Sequence, residues 1–365
     1  MKIKDIAKII EESAPHAYAE NWDNVGLLVG DPNKEIKKII TALDFTEEVL
    51  DEAIEKNAEM IITHHPAIFG AIKKITTNDF TTRLIIKAIK HDIAIYAAHT
   101  NLDNVKGGLN YLVAEKFKLQ NCFILEPTKA NVYKLTYYVP LDYAEKVLKA
   151  IFDAGAGSIG NYDSCSFASE GIGTFKAKEG ANPFIGDINK LHFEEEKKYD
   201  VIVLAHYLDN VIKALLQSHP YELPAYNIIA IDNDNYSAGS GVIGKLAQPI
   251  NEKDFLKLTK DLLVTSVLRH SKLTGRMISK VAICTGSGAF LLPQAIRKDA
   301  DVFITGDVKY HDFYSPDGKL LLIDAGHYET EQLSKEWFVE IIKSKFNDFD
   351  IEVSEKGGNP IGYWV

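Results

Sequence analysis

The sequence predicts an α/β fold: two similar α/β halves forming one split domain, with an α+β domain inserted between them. Three observations carry this. Short apolar runs separated by amphipathic helical stretches fill residues 39–117. The same pattern returns over 280–345. The region between has another character, with a Gly-, Ser- and Asn-rich stretch at 155–190. Apolar runs without polar alternation read as strands covered on both faces, and helices between them make the sheet mainly parallel. A chain of 365 residues is also longer than one core usually serves. The expected boundaries are 1–127, 128–245 and 246–365.

The chain opens on an amphipathic helix with Ile3, Ile6, Ile9 and Ile10 on one face. It has no continuous apolar core and no small-residue cleavage site, so it does not read as a secretory signal. No stretch approaches the roughly 20 apolar residues of a membrane span. Cys122, Cys165 and Cys284 are too scattered for a disulfide framework or a cysteine zinc site. A cytoplasmic location is the expectation. The net charge of −10 and the lack of a Lys/Arg run disfavour nucleic acid as a partner.

In the first half, KIITALD (38–44), MIIT (60–63) and IAIYAA (93–98) read as strands. Helices are expected over 46–57, 81–91 and 108–117, where apolar residues recur on one face. In the second half KVAICT (280–285), DVFIT (301–305) and KLLLIDA (319–325) read as strands, with helices over 289–300 and 329–346. In the insert, strands are expected at 134–140, 200–206 and 226–232, with helices at 143–154 and 211–220. The Gly-rich segment 155–190 reads as a functional or mobile loop.

The chemistry is concentrated where strands end. MIIT runs into His64-His65-Pro66, IAIYAA into His99-Thr-Asn-Leu-Asp103, DVFIT into Gly306-Asp307, and LLLIDA into Gly326-His327-Tyr-Glu-Thr-Glu331. Strand ends are where ligands bind open α/β sheets. Adjacent side chains on extended backbone point to opposite sides, so two consecutive histidines fit one ion each better than one shared ion. His327 and Glu331, four apart as a helix begins, lie on one face. Three imidazoles and two carboxylates suit two divalent ions such as Zn, Mn, Fe or Co, with Glu331 able to place one oxygen on each. Taken singly, HHP reads as a loop, HTNLD as an Asx turn and GHYETE as a helix start with favourable acids. Their shared placement is what points to a metal site. Asp307 and His311, next to the same strand end, are the candidate general acid/base residues.

These motifs, together with NWDNVGLLVG (21–30), ALDFTEEVLDEAI (42–54) and TGDVKYHDF (305–313), resemble the NGG-interacting-factor-three family, also known as GTP cyclohydrolase I type 2 homologues. The resemblance covers nearly the whole chain. Residues 152–167, 173–187 and 218–228 resemble the insert of the family's long form, which is similar to the trimerising PII/CutA-like domains. The resemblance implies a toroidal homohexamer, a dimer of trimers, with a dinuclear metal site in each subunit; zinc is the ion most expected in a crystal. His64 and Asp103 would bind one ion, His65 and His327 the other, with Glu331 bridging. Trp22 and Asn24 also match family motifs, whereas His219-Pro-Tyr-Glu222-Leu223 lacks the second acid of the family's usual HPYEE. The expected function is a metal-dependent hydrolase acting on a nucleotide-like or phosphorylated small molecule. The alternative is a non-enzymatic metal-binding or metabolite-sensing regulatory hexamer. No GxxxxGKS phosphate loop is present.

Overall fold

The computed structural model describes residues 1–129 and 131–364. The chain divides into two compact units: Met1–Glu126 together with Ala238–Val365, and Pro127–Ser237.

The larger unit holds two sheets. In the first, the strand order is Gly26–Val29, Ala94–Ala97, Met60–Thr63, Lys38–Ala42, Asp350–Val353. The last four run parallel, and Gly26–Val29 is an antiparallel edge. The second sheet runs Arg269–His270, Leu321–Asp324, Val302–Thr305, Met277–Ile283, Asn235–Asn251, Gln120–Thr128. Its three central strands are parallel, and Arg269–His270 is again an antiparallel edge. The parallel strands are buried on both faces, as unbroken apolar runs require. Ile39, Met60, Ile62 and Tyr96 face helix Ile3–Ser13 and Phe338. The intervening Ile40, Ile61 and Ile95 face Leu50, Leu84 and Ala88 of helices Glu47–Glu55 and Phe80–Lys90. Each such side chain contributes about 1.5–3 kcal/mol by leaving water.

Each half lends a strand to the other's sheet. Asp350–Val353, near the C-terminus, pairs with Lys38–Ala42 in register Asp350↔Lys38 to Val353↔Thr41. Gln120–Thr128 lies beside Asn235–Asn251 in the second sheet. The expected boundary at 245 falls inside Asn235–Asn251, whose residues Val242, Ile243, Gly244 and Lys245 pair with Ile283, Ala282, Val281 and Lys280. The inner unit therefore closes at Ser237. The long helix expected over 329–346 is two, His327–Glu331 and Ser334–Lys345. The Ser334 hydroxyl donates to the Glu331 carbonyl (2.8 Å) at the break, a local bond that competes with helix continuation.

In the inner unit, the elements follow β-α-β-β-α-β, with sheet order Ser166–Lys176, Leu191–Leu204, Val132–Pro140, Tyr226–Ala230, all antiparallel. This is the ferredoxin-like arrangement. Helices Ala144–Asp153 and Leu208–Ser218 cover one face, packing Val147, Ile151, Val211 and Leu215 on Leu135, Tyr137, Val139 and Val201. The Gly-rich segment is not all loop. Its centre, Ser166–Lys176, is an edge strand paired from Ser166↔Val201 to Lys176↔Leu191. Among the described residues, no helix is long and apolar enough to cross a membrane.

Candidate metal centre

The parallel strands Met60–Thr63 and Ala94–Ala97 end in His64-His65 and His99, and Leu321–Asp324 ends just before His327. After Met60–Thr63 the backbone bends at His64 and His65, while their amides still donate to the Ala42 and Leu43 carbonyls. The Thr63 hydroxyl donates to the His65 carbonyl (2.7 Å) across this bend, and both rings reach one cluster, centroids 5.1 Å apart.

Each histidine is held from behind. His64 Nδ1 donates to the Ala98 carbonyl (2.9 Å), so Nε2 carries its lone pair. That Nε2 is buried without a hydrogen-bond partner. His65 Nδ1 is 2.7 Å from Asp44 Oδ1, and His327 Nδ1 is 2.7 Å from Asp307 Oδ2. A carboxylate on one ring nitrogen with the other aimed inward is the pattern of a metal-ligating histidine.

Glu331 stands between the two sets. Its Oε2 lies 2.9 Å from both His65 Nε2 and His327 Nε2, while its Oε1 lies 3.8 Å from His64 Nε2. Asp103 Oδ1 is 3.7 Å from His64 Nε2 and accepts from the Thr285 hydroxyl (3.2 Å). Two groups result, His64/Asp103/Glu331 and His65/His327/Glu331, each with donor atoms within 4.8 Å of one another. They share Glu331. The donor set, nitrogen and carboxylate oxygen, suits borderline divalent ions. The buried, unpartnered His64 Nε2 is the kind of atom an ion would satisfy.

Electrostatics agree. Burial disfavours the His65 cation, yet Asp44 and Glu331 outweigh it and pull the imidazole up to about 10. For His327, Glu331 and Asp307 overcome burial and raise it to about 9. Burial likewise opposes the Glu331 carboxylate, but His327, His64 and His65 hold it well below the usual carboxylate range. The pocket is built to hold positive charge at the imidazole Nε2 positions.

The surrounding loops fix this arrangement. Asn110 donates to the Asp103 carbonyl and accepts from the Thr285 amide, tying the two halves together beside the site (2.9 Å each). Gly286 has φ +61°, and a Cβ there would run into the Glu331 carboxylate. Its amide donates to the Thr330 hydroxyl (3.0 Å). A side chain at 286 would push aside the shared residue of the cluster.

His99, a strand-end histidine outside the expected ligand set, stands close by. His99 has its Nδ1 held by Asp23 Oδ1 at 2.9 Å, and its ring lies 5.2 Å from that of His64. It forms a third group with His64 and His65. Its strand-end position was a usable signal; the backing by Asp23, 76 residues away, was not. The two expected acid/base residues fare differently. Asp307 lies 2.7 Å from His327 Nδ1 and so orients a candidate ligand. His311 is exposed in the turn Tyr310–Tyr314, lies edge-on to Tyr310 (centroids 5.2 Å), and is not among the residues that wall the cleft. The cleft over the cluster holds about 750 Å³, with Trp22, Phe69, Thr285, Ser287 and Phe290 in its walls.

The model of a family described as Duf34/NIF3 (NGG1p interacting factor 3) matches residues 1–360. A Bacillus subtilis protein named GTP cyclohydrolase 1 type 2 homolog is 40% identical over 99% of this chain and 98% of its own. One of the same name from Halalkalibacterium halodurans is 42% identical over 95% of this chain and 94% of its own. Among solved structures, a Bacillus cereus protein related to NIF3 superposes with a TM-score of 0.87 at 38% identity, covering 100% of this chain and 99% of that one. Staphylococcus aureus protein SA1388 gives 0.77 at 31% identity, with coverage of 100% and 99%.

Proposed function

Because this chain belongs to the Duf34/NIF3 family, we propose that its cleft is the dinuclear centre of a metal-dependent hydrolase acting on a nucleotide-like or phosphorylated small molecule. One observation carries the reading: the two oxygens of Glu331 face different ligand groups, Oε2 toward His65 and His327 and Oε1 toward His64. When bound, a pair of divalent ions supplies Lewis-acid charge and lowers the pKa of water.

The chain's own residues do the rest. His64 and Asp103 hold one position, His65 and His327 the other, and Glu331 spans them. The Ala98 carbonyl, Asp44 and Asp307 fix the ring tautomers so that each Nε2 presents a lone pair. His99, oriented by Asp23, presents its Nε2 to the cleft and is the residue placed to exchange a proton with substrate. Trp22, Phe69 and Phe290 give the mouth apolar walls for the less polar part of a substrate, while the buried end suits a phosphoryl or carbonyl oxygen.

The reading includes assembly. Six chains form two stacked trimers, the ferredoxin-like insert serves as the PII/CutA-like trimerising part, and the clefts face a shared cavity that limits access by size. Sedimentation at micromolar concentration is expected to give a mass of about six chains; a stable monomer or dimer would contradict it. For the chemistry, metal-loaded protein is assayed on nucleoside triphosphates and small phosphoesters. Turnover that collapses in Glu331→Ala supports the hydrolase. Binding without turnover replaces it with a regulatory, metabolite-sensing reading.

A further inference from the structure

The inner unit carries a second pocket, of about 600 Å³, formed entirely by its own residues. It sits on the sheet face that the two helices leave uncovered. Strand alternation puts Tyr138, Glu196, Gly173 and Phe175 on that face, because Tyr137, Val139, Tyr199 and Val201 point into the helix-covered core. Two loops complete the walls, one with Phe184 and one with Tyr221.

The walls are aromatic and hydrogen-bonded into place. The Tyr221 ring stands 5.8 Å from Phe175 and 6.3 Å from Phe184, tilted by 59° and 44°. His219 donates from Nε2 to the Tyr138 carbonyl (2.9 Å) and accepts at Nδ1 from the Tyr221 amide (3.0 Å), which fixes the Tyr221 loop. Glu222 accepts from the Asn182 amide (3.1 Å) and so ties that loop to the one carrying Phe184.

Within these walls lies the Glu196 carboxylate, which forms no salt bridge among the described residues. The buried Tyr221 hydroxyl has no hydrogen-bond partner among the described residues, and burial, with the like charge of Glu194 added, pushes the Glu196 carboxyl above the usual range. Gly173 makes room for it, since a Cβ there would meet the Glu196 carboxylate. Lys176 and Lys178 border the pocket but are exposed, and Lys176 occupies the strand position facing away from Phe175.

Aromatic faces around an uncompensated, partly buried carboxylate attract an organic cation through the ring quadrupoles and through charge. The geometry points to a binding site for a small organic ammonium ion, seated among Phe175, Phe184 and Tyr221 against Glu196. It is separate from the metal centre and does not depend on the hydrolase reading.

Calorimetric titration of the intact chain with n-butylammonium and with tetramethylammonium tests this. At least one probe is expected to bind saturably. Glu196→Gln, which keeps shape and removes charge, is expected to weaken it about tenfold or more. Phe184→Ala, at an exposed ring, is expected to weaken it as well, while His64→Ala leaves it unchanged. Circular dichroism checks that the variants are folded. Absence of saturable binding by both probes up to about 10 mM, or an affinity unchanged in folded Glu196→Gln, would overturn the assignment.

Discussion

His65 Nε2 and His327 Nε2 lie 3.2 Å apart, although 262 positions separate the residues in sequence. Both rings are held at Nδ1 by carboxylates, so in the neutral state two lone pairs face each other. Only a proton or a metal ion makes that approach favourable. His64 is held separately, by the Ala98 carbonyl. His64→Ala and His65→Ala are therefore expected to lose different ions, each keeping about one of two by elemental analysis. Full loading in a His65/His327 double alanine variant would contradict the assignment.

Metal uptake should release protons. In the ion-free protein His65 and His327, raised to about 10 and about 9, are protonated at neutral pH. An ion needs both rings neutral, so affinity is expected to rise with pH toward 9 and fall steeply in acid. The linkage sign for the ion-free protein follows. Raised folded pKa values give stability that is fully present below the unfolded value of 6.5 and lost as pH rises through about 9 and about 10. Calorimetry at pH 7.5 in two buffers of different ionisation enthalpy should report release of about two protons per chain. Binding independent of pH from 6 to 9 would contradict it.

Asp23 should support acid-range stability. Burial works against its charge, but bonds from His99 and Thr100 lower it from 3.8 to about 2. A depressed carboxyl contributes stability above its unfolded pKa and loses it as pH falls through about 2. The shift corresponds to about 2 kcal/mol at neutral pH. In chelator, Asp23→Asn is expected to unfold at lower denaturant at pH 7, with the difference shrinking from pH 4 to pH 2. A difference that does not change with pH would assign the effect to packing.

Gly286→Ala should remove metal without unfolding the chain. The substitution places a Cβ against the Glu331 carboxylate at a backbone φ of +61°. The backbone cost alone is about 1 kcal/mol, too little to unfold a domain. Circular dichroism should stay native while the bound metal falls. Unaltered metal content would show that Glu331 can move without consequence.

The metal centre should survive loss of the insert, since every donor lies in the larger unit. A chain joining Glu126 to Ala238 by a short flexible linker is expected to fold and to bind metal with wild-type stoichiometry. A folded deletion protein without metal would show that the insert completes the site.

The sequence made legible whatever depends on local pattern. Unbroken apolar runs such as MIIT and DVFIT are strands, and the polar residues after them converge because parallel strands end on one edge. Strands at the edges of this pattern were not legible. Asp350–Val353 buries only Ile351 fully, and Gly171 and Gly173 dilute the strand signal of Ser166–Lys176. Asp44 and Asp23 were hidden for another reason: their partners His65 and His99 lie 21 and 76 positions away, a distance only the topology closes. His311 shows the converse, being near the strand end in sequence yet exposed and not among the residues that wall the cleft.

The proposed centre stands on Glu331 serving two divalent ions. Its most direct test is titration of chelator-stripped protein with zinc, followed by calorimetry and elemental analysis, in parallel with Glu331→Ala. About two ions per chain are expected in the native protein, with loss of high-affinity binding at both positions in the variant. One ion per chain in the native protein, or two retained in folded Glu331→Ala, would contradict it.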